Sequence, residues 1–278
     1  MLTKMEEMIM KKMTKISVLI LMMAILLMGC GKSDANKADT SLQDIKDKGS
    51  LVLGLDDAFP PMGFKNDDQE IVGFDIDVAK EVANRIGVEL ELTPISWDAK
   101  EQELATKHID CIWNGFTKNA DRESKMALSI PYMKNTQVAI VLTDSGINTL
   151  EDLAGKTVVL QNASTASDAM DQNEEFKNSL KELIKVDDNV QALMDLKVGG
   201  SDAVVMDEVV ARYYVEKEQG TYKVLDTTLS EEEYVIGFRK GENALTEEVN
   251  KHLKDMAKEG LLAEISEKWV GKDLTIVE

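Results

Sequence analysis

Short apolar runs alternate along this 278-residue chain with segments whose apolar positions recur at helical spacing. Residues 51–55 predict a buried strand, and Val78, Ala79, Val82, Ala83 and Ile86 form one helix face closed by Gly87. Val88, Leu90 and Leu92 then alternate with Glu89, Glu91 and Thr93, the period of a strand with one wet face. A helix over 100–107 leads to a strand over 109–113. The second half repeats the theme with strand 157–160, a loop over 161–167 and a helix, strand 183–186, helix 189–197 and strand 203–206. Strand 234–238, helix 245–259 stopped by Gly260, and helix 261–269 complete the chain. This alternation points to the α/β class with parallel strands.

A faint internal echo bears on architecture. His108-Ile-Asp110-Cys-Ile-Trp-Asn114 and Gly200-Ser-Asp202-Ala-Val-Val-Met206 both follow an amphipathic helix. Each sets an Asp before an apolar strand, with polar residues arriving at its C-terminal end. Two α/β halves facing each other across a cleft would bring those strand ends together. The expected organisation is one lobe from 49–136 with 237–278 and a second from 137–236. Extended crossings near 135–138 and 230–236 would join them, and the C-terminal helices would return to the first lobe. Between strand 51–55 and the helix after Gly73 lies Asp56-Asp57-Ala-Phe59-Pro60-Pro61-Met-Gly-Phe64, holding two of the chain's four prolines. Proline fixes φ and removes a donor, so this segment reads as a rigid loop rather than a sheet element.

The N-terminus asks for separate treatment. Lys11, Lys12 and Lys15 precede the apolar run 16–28, broken only by Ser17 and ending in Leu27-Met28-Gly29-Cys30. The run is short for a bilayer span and suits a signal peptide. It resembles a lipoprotein signal over 1–29, which implies that Cys30 is lipidated and begins the mature chain; an uncleaved anchor with an incidental cysteine is the alternative. Translation could equally start at Met10 or Met13. Residues 30–48 begin polar and small, the composition of a flexible tether. Removing the leader's four lysines and two glutamates turns a net charge of −19 into −21. That balance argues against nucleic acid or an anionic bilayer surface as partner. With Cys30 committed to lipid, Cys111 stands alone in an apolar strand and reads as a small core residue. His108 and His252 lie far apart without Cys or His companions, so neither a metal nor another cofactor is expected.

A zwitterionic amino acid buried in a cleft needs a bidentate cation for its carboxylate and a carboxylate for its ammonium, because an unpaired buried charge is strongly unfavourable. The chain carries candidates in order: Asp56 to Phe64, Gly73-Phe74-Asp75-Ile-Asp77, Trp97, Trp113-Asn114-Gly115-Phe116-Thr117-Lys118-Asn119-Ala120-Asp121-Arg122, Gln161-Asn-Ala-Ser164-Thr165, and Asp207 after strand 203–206. Arg122 is one of only four arginines in a lysine-rich chain. As a colinear set over about 50–270 these segments resemble the amino-acid-binding proteins of bacterial ATP-binding-cassette importers, solute-binding family 3. The resemblance implies a two-lobed, periplasmic-binding-protein-like fold, each lobe a mixed, mostly parallel sheet flanked by helices, with the ligand in the cleft between the lobes. It gives Arg122 the ligand carboxylate, with Asn114, Gly115 and Thr117 lining the same pocket and Asn114 close to the ammonium. It gives Asp207 the ammonium, places Ser164 and Thr165 over the carboxylate, and sets Phe59 and Trp97 as rings flanking the side chain. Asp56 and Asp75 match positions that read the far end of polar or basic side chains. Ala163 stands where the family often has glycine. From residue type alone, Asp207 and Asp75 read equally as helix caps, Asp121-Arg122 as a helix-start surface pair, Thr117 as an N-cap and Trp97 as core.

The resemblance therefore implies a membrane-tethered, extracytoplasmic lipoprotein, a monomer and not an enzyme. It would capture a polar or basic amino acid and deliver it, after hinge closure, to a permease with its ATPase subunits. Glutamate and aspartate are disfavoured by like charge. Signalling to a receptor in place of a permease is the first alternative. A cyclic-acid dehydratase of the same fold is the second, set against the absence of a paired nucleophile and base or a phosphate loop.

Overall fold

The computed structural model describes residues 38–278. Helix α1 (Ser41–Lys48) precedes strand β1 (Ser50–Leu55), followed by β2 (Ala58–Phe59), β3 (Gly63–Lys65), β4 (Ile71–Val72), α2 (Phe74–Ile86) and β5 (Glu89–Pro94). Next come α3 (Lys100–Ala105), β6 (Cys111–Thr117), α4 (Ala120–Lys125), β7 (Met126–Leu128) and β8 (Met133–Leu142). The second half holds β9 (Thr157–Gln161), α5 (Thr165–Gln172), α6 (Glu174–Ser179), β10 (Glu182–Val186), α7 (Asn189–Lys197), β11 (Ala203–Asp207), α8 (Glu208–Lys217) and β12 (Tyr222–Val224). Strand β13 (Ser230–Arg239) and helices α9 (Asn243–Lys258) and α10 (Leu261–Val270) finish the chain.

The main sheet runs β10-β9-β11-β8-β13-β6-β1-β5. β5, β1 and β6 are parallel to one another, as are β10, β9 and β11, so the fold is the expected two-lobed α/β arrangement. The two parallel triplets meet through β8 and β13, which pair antiparallel from Gln137↔Ser230 to Met133↔Tyr234. Beyond that stretch, β8 turns its ladder to β11 while β13 turns to β6, so the sheet is continuous where two separate sheets were expected. One apolar cluster runs through both triplets, joining Leu51, Leu53, Leu55, Val78 and Val82 with Val159, Val204 and Met206, and a second, with Val158, Leu160, Val205, Met170 and Leu153, belongs to the second triplet. Helices α9 and α10 pack on α1 and α2, beside the first triplet, as the C-terminal pattern implied.

Three expectations change. The proline segment is flanked by a small antiparallel sheet, β2-β3-β4, because Pro60 and Pro61 occupy the turn and leave Ala58, Phe59, Gly63 and Phe64 free to pair. The tether ends before Ser41, since Ile45 is buried and Leu42 packs beside it, giving α1 an apolar face. Strand β6 runs to Thr117, beyond the expected end at 113, and Phe116 and Thr117 pair with β13. The signal reading at 1–29 and the lipid site at Cys30 lie outside the described residues. Cys111 is buried, where desolvation pushes its thiol pKa well above the ordinary value.

The internal echo has a physical basis. Asp110 Oδ2 accepts the Val52 N–H of β1 at 2.9 Å and pairs with Lys48; Asp202 Oδ2 accepts the Thr157 N–H of β9 at 2.9 Å and pairs with Lys156 at 3.5 Å. Each aspartate thus locks the start of the neighbouring parallel strand. Asp110 additionally meets Arg239 at 3.3 Å, and its side chain is 9% exposed against 35% for Asp202. Asp110→Ala is therefore expected to cost about 3–5 kcal/mol of unfolding free energy, as breaking a buried pair does. Asp202→Ala should cost about 1 kcal/mol, the worth of one hydrogen bond and a solvated pair. Urea denaturation of the two variants checks this, and equal losses would contradict the asymmetry.

Candidate ligand-binding site

The C-terminal ends of β1, β6, β9 and β11 converge with the start of α5. Asp56, Phe59, Trp97, Asn114, Gly115, Thr117, Arg122, Gln161, Ser164, Thr165 and Asp207 line one cavity there. Ten of the eleven ligand-binding candidates from the sequence are thus brought together. The cavity measures about 10 Å³, room for about one water, so the walls touch. A far larger hollow of about 1090 Å³ runs along β8 and β13 between α8 and the end of α10. Its open walls mix cations and anions, such as Arg212 and Lys272 with Glu216 and Glu231, and none of the predicted residues lines it.

Asp56 follows β1 directly. Its Oδ1 accepts the Ala58 N–H at 2.9 Å, and its Oδ2 accepts Gln161 Nε2 from the other triplet at 2.7 Å. Burial raises its pKa to about 6. Asn114 Oδ1 accepts the Asp56 N–H at 3.1 Å, which fixes the orientation of its amide. Gly115 sits at φ +57 inside β6, and a β-carbon there would meet Phe59 Cε1 at 2.7 Å. Glycine is therefore demanded twice, by conformation and by the ring that closes over it. Trp97 stands edge-on to Phe116 at 6.1 Å, so it both packs and lines the cavity.

Arg122 is the third residue of the short helix α4, whose N-cap is Asn119 rather than Thr117. The guanidinium is 5% exposed, lies 4.0 Å over the Phe116 ring and donates to the Thr117 carbonyl. No carboxylate lies within ion-pair distance of it among the described residues, and desolvation lowers its pKa from the ordinary value. Ser164 caps α5 by accepting the Ser167 N–H at 3.4 Å and itself donates to the Gln161 carbonyl at 2.7 Å. Before it, Ala163 adopts φ +53, the left-handed region in which a glycine is the unstrained choice.

Asp207 ends β11 and makes no side-chain cap to α8. Its Oδ1 accepts Asn135 Nδ2 at 2.6 Å and the Tyr234 hydroxyl at 2.7 Å. Burial and the nearby Glu232 charge raise its pKa to about 7. Glu232 is a residue the pattern along the chain does not single out. Its Oε2 accepts Thr117 Oγ1 at 2.9 Å, Gln137 Nε2 at 3.0 Å, Thr165 Oγ1 at 3.1 Å and Asn135 Nδ2 at 3.1 Å. One carboxylate oxygen on the crossing strand thus gathers donors from both triplets.

Asp75 is placed elsewhere. Its carboxylate is buried behind β6 and accepts the Gly115 N–H at 2.7 Å, so it supports the cavity wall without lining it and caps no helix. Packing dictates this, because α2 begins one residue earlier and turns Asp75 inward onto the strand.

The chain from 51 to 272 matches the model of the bacterial extracellular solute-binding proteins, family 3. It belongs to that family. The L-cystine-binding protein TcyJ of Escherichia coli (strain K12) is 33% identical over 248 residues, covering 88% of this chain and 92% of its own. The glutamine-binding protein GlnH of a Bacillus subtilis (strain 168) ABC transporter is 31% identical, covering 95% and 99%. An ABC uptake transporter substrate-binding protein from Streptococcus pneumoniae, solved with bound histidine, superposes with a TM-score of 0.83 at 36% identity, covering 86% of this chain and 99% of that one. Family membership makes this an extracytoplasmic solute-binding protein of the ABC-importer type, a class that binds rather than transforms its solute.

Burial raises the Asp75 pKa to about 7, above its unfolded value of 3.8. A raised carboxylate contributes stability that is complete below pH 4 and is lost as pH climbs through 7. Asp75→Asn, which keeps an acceptor for Gly115, should remove that part of the decline. Chemical denaturation at pH 4.5 and 7.5 should then show the variant gaining on the wild type at the higher pH.

Proposed function

We propose that this family-3 protein captures a polar or basic α-amino acid outside the cytoplasm and passes it to an ABC-type permease. One observation carries the reading: the buried, unpaired Arg122 shares a cavity with the buried carboxylate of Asp207, and the rings of Phe59 and Trp97 line the same space. A free amino acid supplies the carboxylate that Arg122 lacks and the ammonium that Asp207 lacks. Glu232, within hydrogen-bond reach of Asn135 and the two threonine hydroxyls, adds negative potential to the ammonium end. Asp56, tied to Gln161, offers a carboxylate to the end of a polar or cationic side chain.

The lobes take the boundaries 49–136 with 237–278, and 137–236, with β8 and β13 as the crossing strands. Asp56 meets Gln161, and Thr117 meets Thr165, so the site is complete only when both lobes close on it. The relatives point to the solute class, since cystine, glutamine and histidine each carry the zwitterion and a polar side chain. A lipidated Cys30 on a signal-processed N-terminus would tether the domain to the membrane beside its permease.

Calorimetric titration with the proteinogenic amino acids and cystine tests the assignment. Arg122→Ala should weaken the best ligand by about 2–5 kcal/mol, the usual loss on truncating one partner of a buried charge pair. Unchanged affinity would remove Arg122 from the carboxylate. Cys30→Ser should move the protein from the membrane fraction to the soluble extracytoplasmic fraction, and membrane retention would contradict the anchor.

A further inference from the structure

Lys100 is the first residue of α3 and is not among the cavity's walls, yet it is only 4% exposed. Its ammonium lies 5.0 Å from the Trp97 ring centroid and donates to the Trp97 carbonyl at 3.0 Å. It also donates, at 2.9 Å, to the carbonyl of Ala163, 63 residues along the chain and on the loop that starts α5. No carboxylate lies within ion-pair distance of it among the described residues. Lysine is rarely buried without such a partner, because its ammonium is strongly hydrated in water.

Two features make this placement functional. The Ala163 carbonyl belongs to the left-handed residue that swings the chain into α5, and the first-turn amides of Thr165 and Ala166 have no intrahelical acceptor. A tie on the Ala163 carbonyl holds that turn, and hence the direction of those amides. Moreover, Lys100 and Arg122 are two buried cations, Lys100 feels the Arg122 charge, and among the described residues neither has a carboxylate within ion-pair distance. Burial first, and Arg122 second, lower the Lys100 pKa to about 8, while Glu101, Asp168 and Asp98 act weakly in the opposite sense. Like charges gathered in a closed interior are favourable only if an anion joins them.

We propose that Lys100 is a positioning residue for the ligand's carboxylate: from the first lobe it grips the Ala163 carbonyl of the second, fixes the opening turn of α5 beside Arg122, and adds a second buried positive charge to that end of the cavity. The inference rests on the amino-acid reading and goes beyond it. It makes closure itself part of anion recognition, since the Lys100–Ala163 bond exists only when the lobes meet. It also gives the site a stronger preference for a free carboxylate over an amide than one arginine alone supplies.

The test takes the amino acid that the wild type binds best among the proteinogenic set and L-cystine, and compares it with its α-carboxamide by calorimetry on wild type, Lys100→Met and Lys100→Arg. Lys100→Met, similar in volume and able to stay buried, should weaken the free amino acid about tenfold or more and the carboxamide much less. The wild type's discrimination between acid and amide should shrink accordingly. Lys100→Arg, which retains charge and donors, should keep most of the discrimination. A purely structural role predicts equal losses for acid and amide in Lys100→Met, and that result overturns the proposal while leaving the amino-acid reading intact. A wild-type protein that binds no proteinogenic amino acid and no cystine overturns both.

Discussion

Burying Arg122 without a carboxylate in reach is the constraint around which the site is arranged. The Phe116 face and the Thr117 carbonyl satisfy part of the guanidinium's demand, through a cation–π contact and one hydrogen bond. Neither carries a full negative charge. The compensating acids, Asp207 and Glu232, are held away by their own donors, Tyr234, Asn135, Gln137 and two threonine hydroxyls. Opposite charges are thus kept apart across a few side chains instead of collapsing onto each other. A zwitterion is the object that such a separation fits.

Separation of this kind needs a frame that does not give way, and the sheet supplies it. In each parallel triplet an aspartate just before one strand accepts a backbone amide of its neighbour, Val52 of β1 and Thr157 of β9, and both triplets end at the cavity. Between them only β8 and β13 carry the chain across near the site. In the proposed closure, the short antiparallel stretch around Gln137 and Ser230 is where bending would fall, with each triplet moving as a unit. Glu232 lies within that stretch and accepts from Thr117 and Thr165 of the cavity wall, so the crossing strand is bonded directly to that wall.

Strands β1, β9 and β11 were legible because each is an almost unbroken apolar run with polar residues where the site begins. The candidate residues came from the resemblance of short phrases to a family, and ten of them line one cavity where those runs end. Glu232 was not legible. In Glu231-Glu232-Glu233 three like charges read as a solvated run, and only pairing with β8 reveals that the middle one turns inward while its neighbours stay exposed. Lys100 escaped notice as one lysine among many at a helix start, because the carbonyl it binds is remote in sequence. Asp75 shows the reverse error. Its acidic neighbourhood beside Gly73-Phe74 suggests ligand contact, but one residue of helical phase points it at the Gly115 amide behind the wall. The Ala163 departure from the family pattern acquires a meaning only with its positive φ, a backbone demand that side-chain identity does not announce.

The glycine at 115 sets a boundary on how this pocket can change. Every replacement adds at least one carbon where the Phe59 ring already sits, in a conformation that disfavours side chains altogether. A lineage seeking a new solute would have to work through Asp56, Gln161 or Trp97 on the other walls. That position is a fixed pivot, and diversification of the solute must proceed around it.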